Sequence, residues 1–352
     1  MMNLNLSLIL TSLTFAAIGA ETQGVPKPYN DEDPYGRVYF EQIGVIAAWE
    51  KYQNVLTFGK GQTLALLDDG CDVDIPEWKV VMPWGPKVIA TWNSMTDTTD
   101  CRAIPPAQHG TTMAFPSSLN YNGKAGIAYN NFMTPVSCVK MVHISESEIP
   151  AATVSMKKAL EWVVENRERL NITAVNLAPV DDQAHAGDKT SDLDPVLKKL
   201  RELGVWVSAP CGNNNYTTGI SWPAASPYCF AIGGADWGKG EDGVVQPVAR
   251  FDRFSNTDIL SPAGATSSSN AFLVGSAMVV REAIEKSGYD WKTKGKTLPD
   301  AMLAIFKETG RDAHDKATGL TFKMVNLLGA LDYVFANSPK GAVVNPSPDP
   351  SK

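Results

Sequence analysis

The sequence predicts a three-layer α/β domain: a mostly parallel sheet with helices on both faces. Three observations carry this. Short apolar runs recur through the middle of the chain, amphipathic segments of helical period lie between them, and no linker long enough to mark a second domain interrupts the alternation. Continuous apolar runs suit strands covered on both faces. Their alternation with helices implies parallel crossover units.

The strand candidates are residues 63–67, 136–142, 172–177, 205–209 and 228–232. In the first intervening helix, Met156, Leu160, Val163 and Val164 share one face, while Lys157, Glu161, Glu165 and Glu168 lie elsewhere. The second helix is marked at both ends. Asp194 can serve as N-cap, Pro195 is expected at the first helical position, and Gly204 follows Leu203 as a stop. Sites in such folds lie at the carboxyl ends of the strands.

Residues 1–20 read as a signal peptide, with a small-residue or apolar run closed by Ala17-Ile18-Gly19-Ala20, although no Lys or Arg precedes the run. A secreted or periplasmic location is expected, with no membrane span in the mature chain. A short extension (21–35), a single folded domain (36–335) and a loose, polar C-terminal tail (336–352) follow. A chain of 352 residues buries enough core to need no metal or disulfide staple. The net charge of −7 comes without any basic run, which argues against a nucleic-acid partner.

Export permits disulfides. The five cysteines are Cys71, Cys101, Cys138, Cys211 and Cys229, so a monomer keeps at least one thiol. Cys138 sits in an apolar run as a small core residue, and Cys211 with Cys229 is the pair expected to bridge. Their spacings fit no zinc pattern.

Three segments have chemical content. Leu67-Asp68-Asp69-Gly70 follows a strand and puts a carboxylate where it can orient a histidine. His109-Gly110-Thr111 supplies one of only four histidines. Cys211-Gly212-Asn213 follows the strand at 205–209 and offers a side-chain amide to a developing oxyanion. Singly, each is more commonly a cap, a surface histidine or a turn asparagine.

Together and in this order, the segments resemble the subtilase family, whose triad runs Asp, His, Ser along the chain. The likeness covers about residues 36 to 335. It includes residues 61–72 around Asp68, then Pro76-Glu77, His109-Gly110-Thr111 with Gly126-Ile127-Ala128 after it, Val175-Asn176, Phe254-Ser255-Asn256, and Ser261-Pro262-Ala263-Gly264. The resemblance implies a subtilisin-like fold. It gives Asp68 the task of holding the imidazole, His109 that of general base and acid, and Asn213 that of oxyanion donor. No cofactor is required. Structural calcium is common in the family, but no ligand set maps onto this chain, so no metal site is assigned.

Three departures stand out. The family's Gly-Thr-Ser serine motif at a helix start is matched to Gly275-Ser276-Ala277-Met278. Ser276 then takes the threonine position and Ala277 the nucleophile position. Loss of the nucleophile costs about 10⁶ in turnover. Ser267-Ser268-Ser269 reads as a polar loop. The family's substrate-binding Ser-Leu-Gly-Gly is matched by Ala178-Pro179-Val180, where Pro179 has no N–H to give to an added peptide strand. The stretch before Gly36 leaves no room for a folding prodomain. The expected protein is therefore an inactive subtilase homologue that binds a peptide or protein ligand. The alternatives are a working endopeptidase using Asp68, His109 and a shifted Ser276, or a natural protease inactivated by an engineered Ala277.

Overall fold

The computed structural model describes residues 24–32, 34–103, 108–239 and 245–339. Residues 1–20, expected to be a signal peptide, and most of the C-terminal tail lie outside the described residues.

Ten strands build one sheet. They are β1 (Thr63–Asp68), β2 (Trp92–Asn93), β3 (Phe132–Ser137), β4 (Ile172–Leu177), β5 (Trp206–Pro210), β6 (Phe230–Lys239), β7 (Val245–Arg250), β8 (Ile259–Pro262), β9 (Arg311–Asp315) and β10 (Leu320–Met324). Their order is β9-β10-β8-β6-β5-β4-β1-β3-β2, with β7 on β6. Only the β6–β7 and β9–β10 pairs are antiparallel. Every residue of β1, β4 and β5 is buried, as the unbroken apolar runs require of central parallel strands.

The helices are α1 (Pro34–Gln42), α2 (Val45–Tyr52), α3 (His109–Met113), α4 (Phe115–Ser118), α5 (Ile149–Leu170), α6 (Asp194–Glu202), α7 (Thr266–Ser287), α8 (Leu298–Thr309) and α9 (Leu327–Ala336). Two apolar clusters flank the sheet. One packs α1, α2, α7, α8 and α9 against Leu64, Ala174, Trp206 and Ile232. The other packs α5 and α6 against the alternate residues Ala65, Val175 and Val207. Successive strand side chains point to opposite faces, so one run serves both clusters.

The structure moves several predicted boundaries. The run at 136–142 enters the sheet only at its start: β3 pairs with β1 from Thr63↔Phe132 to Asp68↔Ser137, and the later residues pass beyond the end of β1. The strand at 228–232 becomes the longer β6 because its second half pairs with β7. The first predicted helix begins earlier, at Ile149, with Pro150 in its first turn, where proline is tolerated. The folded body also starts before Gly36. Lys27–Pro28 pairs with Lys124–Ala125, and Tyr29 packs against Phe40, Phe115 and Phe272.

All five cysteines are free thiols. Register rules out the expected Cys211–Cys229 bridge. Ser208 pairs with Phe230, so Cys229 lies beside Val207, and its Sγ approaches the Val207 carbonyl at 3.8 Å. Cys211 is four residues further along β5, roughly 13 Å at the strand rise, well past the reach of a disulfide.

Candidate active site

Asp68 closes β1, and its side chain is buried. His109 opens α3, with Nδ1 2.9 Å from Asp68 Oδ1 and 3.0 Å from Oδ2. The three residues 109–111 each have a part in this contact. Gly110 is required by close approach: a Cβ there would lie 2.3 Å from the Gly70 carbonyl and 2.8 Å from Asp68 Cβ. Thr111 Oγ1 accepts the Asp72 N–H at 2.9 Å and pins the Asp68 turn to the helix.

Burial pulls the His109 pKa down, but the charge and hydrogen bond of Asp68 outweigh it, and the net shift is upward from 6.5. Asp69, also buried, accepts the Gly110 N–H at 3.4 Å. Its carboxyl is pushed up to about 7, first by burial and then by the Asp68 charge. An Asp–His contact alone is not distinctive here. His143 pairs with Asp182 at 2.8 Å and His185 with Asp181 at 2.7 Å. What sets His109 apart is that its helix, α3, meets the start of α7, where the Ser268 hydroxyl is 3.7 Å from Met113 Sδ.

Asn213 follows β5 and is fastened to that helix start. Its Oδ1 accepts the Thr266 N–H at 2.9 Å and the Thr266 hydroxyl at 3.0 Å, and the same hydroxyl accepts the Gly212 N–H at 3.2 Å. With Oδ1 engaged, the amide Nδ2 is left as the outward donor; it makes no hydrogen bond among the described residues. Gly212 has φ +105, and a Cβ on it would lie 2.3 Å from Asp252 Oδ2 and 2.6 Å from Ser221 Oγ, so the Asn213 turn demands glycine. Asp252, fully buried, has its pKa pushed up to about 6 by burial, against the pull of the Tyr216 N–H.

The expectation that Gly275-Ser276-Ala277 opens a helix is corrected. α7 begins at Thr266, so these residues lie in its middle, and both Ser276 and Ala277 are 0 % exposed. The Ser276 hydroxyl donates to the Phe272 carbonyl one turn back, at 3.0 Å. Gly275 serves packing: a Cβ would come within 3.0 Å of Ser117 Cα on α4 and 3.1 Å of Ile127 Cβ. The segment read as a polar loop, Ser267-Ser268-Ser269, is instead the first turn of α7. Ser267 is partly exposed. It is flanked by Thr266, bonded to Asn213, and by Ser268, whose hydroxyl is 3.7 Å from Met113 Sδ on α3, the helix that carries His109. The following residues anchor the turn. Ser269 donates to the Ser261 carbonyl at 2.8 Å, and Asn270 donates to Asn176 Oδ1 at 2.7 Å and the Ser208 carbonyl at 3.0 Å. The first N–H groups of a helix lack intrahelical partners, so Ser267 N–H is a second donor beside Asn213 Nδ2.

The signal for Ser267 was present in the sequence: Thr266-Ser267 directly follows the strand at 259–262 and Gly264, and opens the long apolar stretch of α7. The Gly-Ser pair at 275–276 drew the match away from it.

The backbone of residues 178–180, expected to form the substrate edge, is already engaged. The Ala178 N–H goes to the Leu67 carbonyl at 3.0 Å. The Val180 N–H goes to the Val142 carbonyl and its carbonyl accepts the Ile144 N–H, each at 2.8 Å. With Pro179 lacking an N–H, residues 178–180 present no free donor to an added strand. Among the described residues no group of three or more His, Cys, Asp or Glu is arranged to hold a metal, and no helix is long and apolar enough to cross a membrane.

No family model and no curated sequence matches the chain. Solved structures do. A protease from Pseudoalteromonas arctica PAMC 21717 superposes with TM-score 0.62 at 16 % identity, over 88 % of this chain and 99 % of that one. The prenylagaramide maturation protease PagA gives 0.58 at 17 %, over 84 % and 99 %. Fervidolysin from Fervidobacterium pennivorans, a keratinolytic enzyme related to subtilisin, gives 0.59 at 14 %, over 82 % of this chain and 45 % of the longer enzyme. The fold is that of the subtilisin-like proteases.

Proposed function

We propose that the protein is a serine peptidase in which Ser267, His109 and Asp68 form the triad, and Asn213 Nδ2 with the Ser267 N–H receives the oxyanion. The observation that carries this reading is the fastening of Asn213 to Thr266, which sets the amide donor one residue from a partly exposed serine at a helix start. His109 Nε2 takes the Ser267 proton as Oγ attacks the carbonyl carbon. Asp68 holds Nδ1–H and stabilises the imidazolium. The proton then passes to the leaving amine, and water repeats the sequence on the acyl-enzyme. Ala277 lies in the middle of α7 and is fully buried, so its lack of a hydroxyl has no bearing on this triad.

The engaged backbone of Val180 favours a second reading, a homologue that binds a partner and turns over slowly because its substrate edge is already paired. Export to an oxidising compartment, from the leader at residues 1–20, belongs to either reading.

The test is hydrolysis of a small activated ester. Ser267→Ala and His109→Ala are expected to lower kcat by about 10⁶, as for other removals of a triad member, while Ser276→Ala and Ala277→Ser leave it within about threefold. A Ser267→Ala variant as active as the parent sinks the assignment.

A further inference from the structure

We infer that Cys71 and Cys101 form a disulfide when the protein folds in an oxidising compartment, tying the turn that bears Asp68 to the arm that leads to His109. Cys71 lies three residues after Asp68, and Cys101 lies between β2 and α3 in the chain. The Cys71 N–H donates to the Cys101 carbonyl at 2.7 Å. A direct N–H···O=C link of this kind holds two α-carbons about 5–6 Å apart, within the window of 4.4–6.8 Å that roughly bounds disulfides. The Cys101 Sγ lies 3.6 Å from the Cys71 carbonyl, so the thiol sits against the Cys71 backbone. Neighbouring backbone confirms how close the two segments run: a Cβ on Gly70 would lie 2.5 Å from both N and Cα of Ala103. Both cysteines are 1 % exposed, so the bond would be buried in the core and open to reductant as the protein unfolds. Burial and the nearness of Cys101 together hold the Cys71 thiol well above its ordinary pKa, so in the folded state the pair is slow to react and the bond forms as the chain folds.

No other pair competes. Cys211 and Cys229 are out of register by four residues on adjacent strands. Cys138 is fully buried where its residue meets α5, the Cys138 carbonyl accepting the Ser155 hydroxyl at 2.6 Å. One bridge and three thiols therefore account for the odd count.

With oxidised glutathione as the oxidant, one cysteine thiolate attacks a glutathione sulfur, forming a mixed disulfide and releasing one reduced glutathione. The second thiolate then attacks the protein sulfur of that mixed disulfide and releases the other. Two S–H bonds are lost, one S–S bond is made in the protein and one is broken in glutathione.

The experiment is to unfold and reduce the full chain, refold it in a buffer of reduced and oxidised glutathione, alkylate after denaturation, digest without reductant and map the peptides by mass. The expected product is a single linked pair containing Cys71 and Cys101, lighter by two hydrogens, with Cys138, Cys211 and Cys229 alkylated. Reductant is expected to lower the melting midpoint of this material by about 5 °C, in keeping with a closed loop of some thirty residues, and to leave the midpoint of a Cys71→Ala/Cys101→Ala variant unmoved. Alkylation of both Cys71 and Cys101 in the refolded protein, or a link between any other pair, overturns the inference, and does so whether or not the protein hydrolyses peptides.

Discussion

At the scale of single residues, the site is a set of short contacts around two turns and a helix start. Asn213 is held by Thr266 through its oxygen, so its nitrogen is aimed outward. Asn213→Ala is expected to cost about 10²–10³ in kcat with little change in KM, the loss seen when one oxyanion donor is removed; steady-state kinetics on the small ester checks it. Asp68, with a smaller part from Asp69, shapes the pH response. His109 must be neutral to accept a proton, and its pKa is raised by the charge and hydrogen bond of Asp68 and, to a smaller extent, by the Asp69 charge. Activity should therefore rise with pH through a midpoint above 6.5. Asp69→Asn removes one of the charges that raise it, so the acid limb of kcat/KM should move to lower pH; an unmoved limb would show that Asp69 does not act on the histidine.

At the scale of elements, α7 joins the candidate site to the core. Its first turn carries Thr266 and Ser267, and its centre carries Gly275, which touches Ser117 and Ile127. A valine at 275 would overfill that contact, so Gly275→Val is expected to cost about 1–3 kcal/mol of stability, read as a lowered denaturant midpoint. The 178–180 edge makes a separate prediction. Each added backbone hydrogen bond to a substrate strand is worth about 0.5–1.5 kcal/mol, or roughly 2–10-fold. With Val180 already paired to Val142 and Ile144, lengthening the acyl side of a peptide substrate from one residue to four should leave kcat/KM nearly flat. A steep rise would mean that the 142–144 segment gives way to substrate.

Much at this scale was legible beforehand. The strands that became β1, β4 and β5 were marked by unbroken apolar runs, and α6 by proline at its start and Gly204 at its end. What the sequence hid was register. The apolar run at 136–142 carries no sign of where its partner strand stops, and the serines at 267–269 have the composition of a loop. The anchoring of Ser269 to Ser261, and of Asn270 to Asn176 and Ser208, holds this stretch as a helical turn. The same limit misdirected the cysteine pairing: the Cys211–Cys229 spacing looked favourable in one dimension and is four residues out of register in the sheet.

For the whole molecule, the three layers bring the ends of β1, β4, β5 and β8 to one rim, where Asp68, Val180, Asn213 and Ser267 gather from distant parts of the chain. That convergence stores electrostatic cost. Asp69 and Asp252 have carboxyl pKa values pushed up to about 7 and about 6 from 3.8, chiefly by burial. A carboxyl whose folded pKa is raised binds more protons folded than unfolded, so its contribution to stability is fullest below pH 4 and is lost as pH rises through 6 and 7. Replacing both by asparagine should flatten the dependence of unfolding free energy on pH between about 4 and 7, measured by denaturant titration; an unchanged slope would show that neither group titrates in that range.

The central claim is that Ser267, not residue 276 or 277, is the nucleophile. The most direct test is a fluorophosphonate probe on the folded protein, with mass mapping of the adduct. The account predicts one adduct on Ser267, absent in His109→Ala. An adduct on Ser276, or none at all in a protein shown to be folded, would contradict it.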